Sequence, residues 1–570
     1  MRGKWLKKLG VFCLSAVLVL GTTGCGGSKE ETTESEEEQQ DTKMQQGMEN
    51  QLTAEELAAY EEADSIEIEE LNLKTDWVEK AQISLGETIT VDGKGAEVSD
   101  DNTVTITAGG AYVILGTLAD GMIVVDTQEA VKLVLNGASI TNEDGSAIYV
   151  KEAEVCYIES AAGTENVLTD GTSYAETEEE LKATVFSNDR LVLLGEGTLN
   201  VNGNYKHAIC SDDEVYIVSG NYELTAQKDG VHTNNWISVE NGNINIVATD
   251  DAMQSEGPIA VNGGNLALAA EGKGVTAYGD LTINDGTINI SKCEEGLESK
   301  NDMTINGGTT EIVGTDDGLN ARSSITVNGG ILYAEISNGD ALDSNGTMTI
   351  AGGLVLAFGA QEPEGGIDCD MNEIEITGGT LIATGGTNSS PSETESTQVS
   401  VLLGSASQGD MIGILDSEGN TVFAFEAAKS YSNLLLSEGK ITSNQSYTVY
   451  TGGTISGENY HGYYENGIYE GGTESISFTT ESMVVSAGGT SNAMGGGMKG
   501  GMGKNMQRNG ERPEMSENGE MPGNGEMPTD GEMPQMPQDG EMPTDGEMPQ
   551  MPQDGERPEM PENNQQTTEE

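Results

Sequence analysis

Residues 293–330 read CEEGLESKNDMTINGGTTEIVGTDDGLNARSSITVNGG and contain one pattern written twice, 22 residues apart. Each copy has a small residue followed by an apolar one, then a segment that alternates apolar, polar, apolar, and then a glycine. These positions are Gly296-Leu297, 303–305 and Gly308 in the first copy, and Gly318-Leu319, 325–327 and Gly330 in the second. Such alternation is what a strand with one buried face requires.

The pattern continues on both sides of this stretch. The small-then-apolar pair recurs at Ala208-Ile209, Gly230-Val231, Ala252-Met253, Gly274-Val275, Ala341-Leu342 and Gly366-Ile367. One repeat cannot bury its apolar residues alone, whereas stacked repeats share a continuous core. A third short strand follows the glycine of each repeat, as at Ile288-Asn289-Ile290. Three short strands per repeat predict an all-β fold, a right-handed parallel β-helix of 22-residue coils. We expect in-register stacking of 237–239, 259–261, 281–283, 303–305 and 325–327, and an amide ladder of Asn262, Asn284, Asn306 and Asn328.

Composition divides the chain into five parts. We expect a lipoprotein signal peptide at 1–24, an acidic disordered tether at 25–75, the β-helix at 76–395, a small C-terminal β region packing on the helix at 396–485 and a disordered tail at 486–570. The tether is rich in Glu, Gln and Thr, and the tail in Gly, Met, Pro and Glu. Neither has the apolar periodicity that a buried core needs.

The N-terminus indicates where the protein is sent. A basic start is followed by an apolar run at 9–20, which is too short to span a bilayer. The sequence Thr22-Thr23-Gly24-Cys25 then resembles a bacterial lipobox, which implies lipid attachment to Cys25. We expect a protein on the extracellular face of the bacterial cell membrane, held there by this lipid anchor only. An ordinary signal peptide with an incidental cysteine is the alternative.

The charge and the cysteines restrict the partners. Acidic residues outnumber basic ones 96 to 26 and give a net charge of -70, which repels nucleic acid and anionic membrane surfaces. We therefore expect no nucleic-acid partner, and a monomer that meets cations or polysaccharide. The scattered Cys156, Cys210, Cys293 and Cys369 are predicted to be buried free thiols, because Cys210 and Cys293 lie about four coils, roughly 19 Å, apart.

An acidic column accompanies the repeat. Stacked coils place equivalent carboxylates about 4.8 Å apart, and several like charges at that spacing need a cation between them. Carboxylate and carbonyl oxygens suit Ca²⁺, whereas the absence of clustered His or Cys argues against zinc or copper. Lys273 interrupts the column, and there we expect an ammonium in place of a metal. Solvated turn acids are the alternative. The expected calcium residues are Asp250, Asp251, Glu294, Glu295, Glu298, Asp316, Asp317, Asn320, Asp340, Asp343 and Asp368.

Several runs in the chain resemble a known family. KDGVHTN at 228–234, the two copies quoted above and GTLADGMIVVD at 116–126 are similar to the bacterial calcium-binding, carbohydrate-binding β-helix domain family, whose architecture is like that of pectate lyases. The resemblance extends over about residues 81–450. It implies binding of plant cell-wall polysaccharides, acidic and pectin-like or cellulosic, without demonstrated cleavage. The acidic Asp-Gly turns match the calcium positions of that family.

We therefore predict a polysaccharide-binding protein rather than an enzyme. Trp236 and Tyr278 are candidate sugar platforms, because sugar faces stack on aromatic rings. Lys300 and Arg322 share a column beside the acidic cluster, where they could pair with a uronate carboxylate. A calcium-dependent polysaccharide lyase with Lys300 or Arg322 as the base is one alternative. A structural surface spacer or adhesin is the other.

Overall fold

The computed structural model describes residues 63, 66–176, 180–370 and 372–491. The elements named in these ranges are 46 β-strands, which form sheets of 27, 13, four and two strands. The predicted signal peptide, most of the tether and the tail from residue 492 lie outside the described ranges. Within those ranges, no helix combines the length and the apolar composition of a membrane span.

The 13-stranded sheet forms one face of the stack, called face 1 here. Its strands are parallel except for the first pair, which is antiparallel. In order they are Ala96–Val98, Thr103–Ile106, Met122–Asp126, Ile148–Glu152, Ala183–Ser187, His207–Ser211, Val231–Thr233, Met253–Ser255, Val275–Ala277, Leu297–Ser299, Leu319–Ala321, Leu342–Ser344 and Ile367–Asp368.

The 27-stranded sheet supplies the two other faces. Face 2 consists of Cys156–Ser160, Leu191–Gly195, Val215–Ile217, Ile237–Val239, Ile259–Val261, Leu281–Ile283, Asp302–Ile305, Ser324–Val327, Thr347–Ile350 and Glu375–Ile376. Face 3 consists of Glu165–Asp170, Thr198–Gly203, Asn221–Ala226, Asn243–Ala248, Asn265–Ala270, Thr287–Lys292, Thr309–Gly314, Ile331–Ile336, Leu354–Phe358 and Thr380–Gly385. The long strand Val131–Asn142 pairs with both faces, and Gly110–Leu118 pairs with it.

The predicted register is confirmed. Ile237 pairs with Ile259, Ile259 with Leu281, Leu281 with Met303 and Met303 with Ile325, so the alternating segments form one parallel sheet. All five side chains are at most 1% exposed and belong to one continuous core. The all-β fold of stacked parallel coils is therefore the fold that the repeat predicts.

Two other predictions about the coils are also confirmed. Asn284, Asn306 and Asn328 each donate a side-chain hydrogen bond to the asparagine one coil earlier, at 2.7–2.8 Å. The four internal cysteines are buried free thiols.

The turn glycines are required by the close approach of successive coils. Gly308 has a φ of +76°, and a Cβ there would lie 2.6 Å from the carbonyl oxygen of Gly286.

Antiparallel strands cover both ends of the stack. At the N-terminal end Glu79–Leu85 pairs with Thr90–Gly93. At the C-terminal end Asn433–Glu438 pairs with Thr380–Gly385 of the last coil. The rest of this C-terminal region contains Ser400–Leu403, Val484–Ala487, a four-stranded sheet of Met411–Asp416, Thr421–Glu426, Ser446–Thr451 and Thr473–Thr479, and a hairpin of Thr454–Ser456 and Ile468–Glu470. The tail expected from residue 486 thus begins later, because that strand continues to Ala487.

The last part of the expected tether is packed on the helix. Ile66, Ile68, Leu71 and Trp77 lie against a cluster of aromatic and apolar side chains on face 2. The carbonyl of Glu69 accepts a hydrogen bond from Tyr216 Oη at 2.5 Å, while the Glu69 carboxylate pairs with an arginine at 2.8 Å. Residues 66–75 therefore form an ordered arm, because their apolar residues have a surface to bury against.

Candidate functional site

Two columns of polar side chains run along face 1, at the turn before each strand and in its middle. The turn column contains the residue just before each small residue: His207, Asp229, Asp251, Lys273, Glu295, Asp317, Asp340 and Gly365. The strand column contains the residue two positions after each small residue: Cys210, His232, Gln254, Thr276, Glu298, Asn320, Asp343 and Asp368. Successive members are one coil, about 4.8 Å, apart.

Aspartates of the turn column use one carboxylate oxygen to accept a backbone hydrogen bond from the next coil. Oδ1 of Asp317 accepts the backbone N–H of Asp340 at 2.9 Å, and Oδ1 of Asp340 accepts that of Gly365 at 2.6 Å. Asp251 does the same for Lys273 at 2.8 Å. Each such carboxylate therefore links its coil to the next one and keeps its second oxygen for another partner.

The acidic end of the columns brings together Asp317, Asp340, Asp343 and Asp368. Burial, followed by Asp317 and Asp368, raises the pKa of Asp343 to about 8. Burial, followed by Asp368 and Glu364, raises the pKa of Asp340 to about 8 as well. Burial is also the main reason why the pKa of Asp317 rises to about 6. Too little water reaches these carboxylates for all of them to be ionised together without a cost in free energy.

Among the described residues, the ion pairs formed by lysines and histidines involve carboxylates other than these four. The described hydrogen bonds also leave several oxygens without a donor: Oδ2 of Asp340, Oδ2 of Asp368 and both oxygens of Asp343. Carboxylate oxygens are the ligands that Ca²⁺ prefers, although among the described residues no three of these four side chains bring their oxygens within 4.8 Å of one another. We call these four residues the acidic cluster.

The expected calcium set is divided by two lysines. Lys273 and Lys300 both donate to Glu298, one to each carboxylate oxygen, and Lys273 Nζ lies 3.4 Å from Glu295 Oε2. Burial raises the pKa of Glu295 to about 7, with Glu298 adding to the rise. Glu298 therefore already has two cationic partners. Lys273, which was expected to take the place of a metal, thus neutralises Glu295 and Glu298 in the next coil, and both of these belong to the expected calcium set.

Other residues of the expected set face outward. Asp250, Glu294 and Asp316 are exposed, and only Asp250 has a cationic neighbour, Lys228, at 3.8 Å. Asp251 is buried, and its Oδ2 accepts a hydrogen bond from Thr276 at 2.8 Å. Its pKa is raised, mainly by burial. These positions do not converge on the acidic cluster.

Three of the four expected carbohydrate residues lie in one column. Tyr278, Lys300 and Arg322 occupy equivalent positions of successive coils, and Arg322 Nη1 donates to the backbone oxygen of Lys300 at 3.3 Å. Trp236 is different, because it is only 2% exposed and packs edge-on against Tyr216 under the N-terminal arm. Its ring face is not available to a sugar, so the expectation of a platform at Trp236 is wrong.

A buried histidine pair was missed by the sequence analysis. His207 and His232 both place Nδ1 near Asp229 Oδ2, at 3.1 and 3.0 Å, and their ring centroids are 4.6 Å apart. Burial lowers the pKa of His207 to about 4. Burial alone would raise the pKa of Asp229, but its contacts with the two histidines hold that pKa well below the usual range.

The histidines lie 25 residues apart in the sequence, so they do not look clustered there. One belongs to the turn column and the other to the strand column of the next coil, which brings them together. Comparison of the two columns would have found them. Two further acids were not predicted: Glu364, which raises the pKa of Asp340, and Asp370, which raises the pKa of Asp343. Glu364 lies inside the irregular 25-residue spacing from Ala341 to Gly366 and Asp370 just after it, where the register of the repeat is hard to extend.

Comparisons with known proteins cover most of this region. A family model described as carbohydrate-binding domain-containing protein matches residues 100–343 and 292–452. A carbohydrate-binding domain-containing protein of Acetivibrio thermocellus is 41% identical over 138 residues, which are 23% of this chain and 48% of that protein. The chain thus spans about half the length of this curated relative. A solved structure described as the polysaccharide lyase-like protein from C. thermocellum, gadolinium derivative, is 26% identical, with coverage of 48% of this chain and 97% of that one and a TM-score of 0.32.

Proposed function

Because this chain belongs to the carbohydrate-binding domain-containing family, we propose that it binds an acidic, pectin-like polysaccharide at the cell surface with the help of calcium. The proposal places calcium at the acidic cluster and the polymer along the neighbouring column of Tyr278, Lys300 and Arg322. A neutral, cellulosic polymer is the other arm of the test.

The observation that carries the proposal is that Asp340 and Asp343 are largely removed from solvent beside other carboxylates. Each has a pKa near 8 because burial and other carboxylates disfavour its charged form. A divalent cation would remove that penalty, and Ca²⁺ accepts six to eight oxygen ligands. The protein carboxylates supply only some of them, so a uronate carboxylate of the polymer can complete the coordination. The need for further oxygen ligands favours an acidic polymer over a neutral one.

The adjacent column supplies complementary groups for such a polymer. A half-buried tyrosine ring at 278 offers a stacking surface for a sugar face. The guanidinium of Arg322 matches the planar geometry of a uronate carboxylate, and Lys300 adds a second positive charge one coil away. The spacing of about 4.8 Å between coils repeats these contacts along an extended chain.

The test is retention on polygalacturonate compared with cellulose, each with calcium and with EDTA. We expect calcium-dependent retention on polygalacturonate, reduced at least tenfold by Asp343→Asn. The matched control is Asp126→Asn, since Asp126 lies on face 1 but pairs with Lys151 at 3.4 Å, away from the acidic cluster. Equal retention with EDTA, or equal loss in both variants, would contradict the proposal.

A lyase reaction is the second candidate, because Lys300 lies two residues after Glu298 of the strand column and contacts it. Elimination from a uronate needs calcium to acidify the carbon next to the carboxylate and a base to take the proton. Lys300 donates to Glu298, however, and an ammonium held in this way is not free to act as a base. Unsaturated product, followed by ultraviolet absorbance and lost in Lys300→Met or Arg322→Lys, would replace the binding assignment with catalysis.

We also propose that Cys25 carries the lipid that holds the protein at the extracellular face of the bacterial membrane. The support is the lipobox-like sequence Thr22-Thr23-Gly24-Cys25, which lies outside the described residues. Cys25→Ser should release the protein into the medium, which fractionation and blotting would measure. If the anchored protein retains no glycan of either kind, the spacer or adhesin alternative is favoured.

A further inference from the structure

The histidine pair on face 1 has the donor atoms of a metal site that is separate from the acidic cluster. His207, Asp229 and His232 each offer one ligand atom, and these atoms lie within 4.8 Å of one another. All three residues are buried, at 4%, 0% and 8% exposure. Two imidazole nitrogens and one carboxylate oxygen are typical ligands of zinc rather than calcium.

The distances within the group are close to those around a zinc ion. Ligand atoms about 2.05 Å from a tetrahedral zinc lie about 3.3 Å from one another. Asp229 Oδ2 lies 3.0 Å from Nδ1 of His232 and 3.1 Å from Nδ1 of His207. The two imidazole nitrogens lie within 4.8 Å of each other, so the rings need to move together only by the remaining difference to share one ion.

A second, independent observation is the state of His207. Its Nδ1 is buried and has no hydrogen-bond partner among the described residues, although Asp229 Oδ2 is near, because the contact lacks hydrogen-bond geometry. His232 Nδ1, in contrast, does form a hydrogen bond with Asp229. A buried polar nitrogen without a partner costs free energy, and its lone pair points to a missing ligand.

We propose that His207, Asp229 and His232 bind one zinc ion, which joins two neighbouring coils. In this site both Nδ1 lone pairs and Asp229 Oδ2 coordinate the metal, and the imidazole protons stay on Nε2. Asp229 Oδ1 continues to accept the backbone N–H of Asp251, at 3.3 Å, so the same carboxylate holds both the metal and the next coil. A three-ligand site leaves a fourth position for water or another ligand.

Lys228 is the residue that opposes metal binding. Its Nζ lies 3.6 Å from Asp229 Oδ2 and 3.8 Å from Asp250, and its side chain is 44% exposed. The ammonium can therefore swing toward Asp250 when the metal binds. Because one positive charge is removed at a solvent-screened distance, Lys228→Gln should strengthen zinc binding about fourfold.

The experiment measures zinc on the full chain in excess calcium, which keeps the acidic cluster from competing. Competition with a chromophoric chelator gives the affinity, elemental analysis gives the stoichiometry, and Co²⁺ absorption reports tetrahedral nitrogen and oxygen coordination. We expect one zinc per chain, with the affinity reduced at least about 100-fold in His207→Gln and in His232→Gln. His461→Gln is the matched control, because that imidazole lies in the C-terminal region, 3.5 Å from Glu311.

Circular dichroism confirms that each variant is folded, and Lys228→Gln provides a change in the opposite direction that misfolding cannot mimic. Stoichiometric zinc in the wild type, lost in both column variants and kept in His461→Gln, supports the site. Less than one zinc per chain at micromolar free zinc, or equal affinity in all three histidine variants, would overturn it.

Discussion

The ammonium of Lys273 lies between two coils of the turn column, where it contacts Glu295 and Glu298. Burial alone would lower the pKa of this lysine, but Glu298 and Glu295 raise it above the usual value. The lysine thus neutralises carboxylates that have little water to stabilise their charge. A metal ion could take over this role only if the lysine were removed.

Lys273→Met should lower the stability of the protein without calcium by about 2 kcal/mol, because it leaves the partly buried Glu295 without its cationic partner and Glu298 with Lys300 alone. The melting temperature should fall by a few degrees. Added calcium should restore more of this loss than it adds to the wild type. Lys292→Met is the control: its pair with Glu271 is exposed, so we expect a change near zero.

Asp213 should make stability depend on pH. Burial, followed by Glu214 and Asp189, raises its pKa to about 7. The folded state therefore holds this proton more tightly than the unfolded state, so stability falls as the pH rises from about 4 to 7. Asp213→Asn should stabilise the protein by about 1 kcal/mol at pH 8, after allowance for solvent screening, and hardly at pH 4.

Melting curves at both pH values would check this. Asp212→Asn is the matched control, because Asp212 pairs with Lys182 at 2.9 Å and should lose stability at pH 8 instead. A stabilisation of Asp213→Asn that is equal at pH 4 and pH 8 would contradict the explanation.

Spacing in the sequence was enough to place residues in columns, since a 22-residue coil returns each position to its own neighbour. It could not determine which carboxylate oxygens would accept hydrogen bonds from backbone N–H groups, or that Glu298 would form ion pairs with two lysines. Those outcomes depend on side-chain rotamers and on competition between columns. Trp236 was misjudged for a related reason: the arm that covers it comes from a segment whose composition resembles a disordered tether.

At the scale of the elements, the turn glycines control how closely the coils approach. Gly308→Ala should destabilise the protein by about 3 kcal/mol, because its Cβ would meet the Gly286 carbonyl at 2.6 Å in addition to the strain of a φ of +76°. Gly409→Ala separates the two effects. Its φ is +85°, but nothing lies within 4 Å, so we expect a loss of about 1 kcal/mol. Denaturant unfolding of both variants measures the difference.

At the scale of the whole molecule, each coil contacts mainly its neighbours, so a ligand at one end stabilises that end first. Removal of calcium with EDTA should lower the melting temperature, because a ligand bound only by the native state stabilises it. Asp317→Asn should reduce this difference more than Asp126→Asn. Hydrogen exchange should show the loss of protection in the coils around residues 317–368 before those around residue 150. An unchanged melt would contradict calcium binding at the acidic cluster.

The antiparallel strands at both ends decide whether molecules can join into filaments. A parallel stack has the same hydrogen-bonding edge at every coil, so a bare terminal coil would be a template for the end of another molecule. Asn433–Glu438 occupies that edge on Thr380–Gly385, and the hairpin at 79–93 occupies the other end. A chain that ends at residue 396 should therefore polymerise end to end as its concentration rises, while the full chain stays monomeric in light scattering.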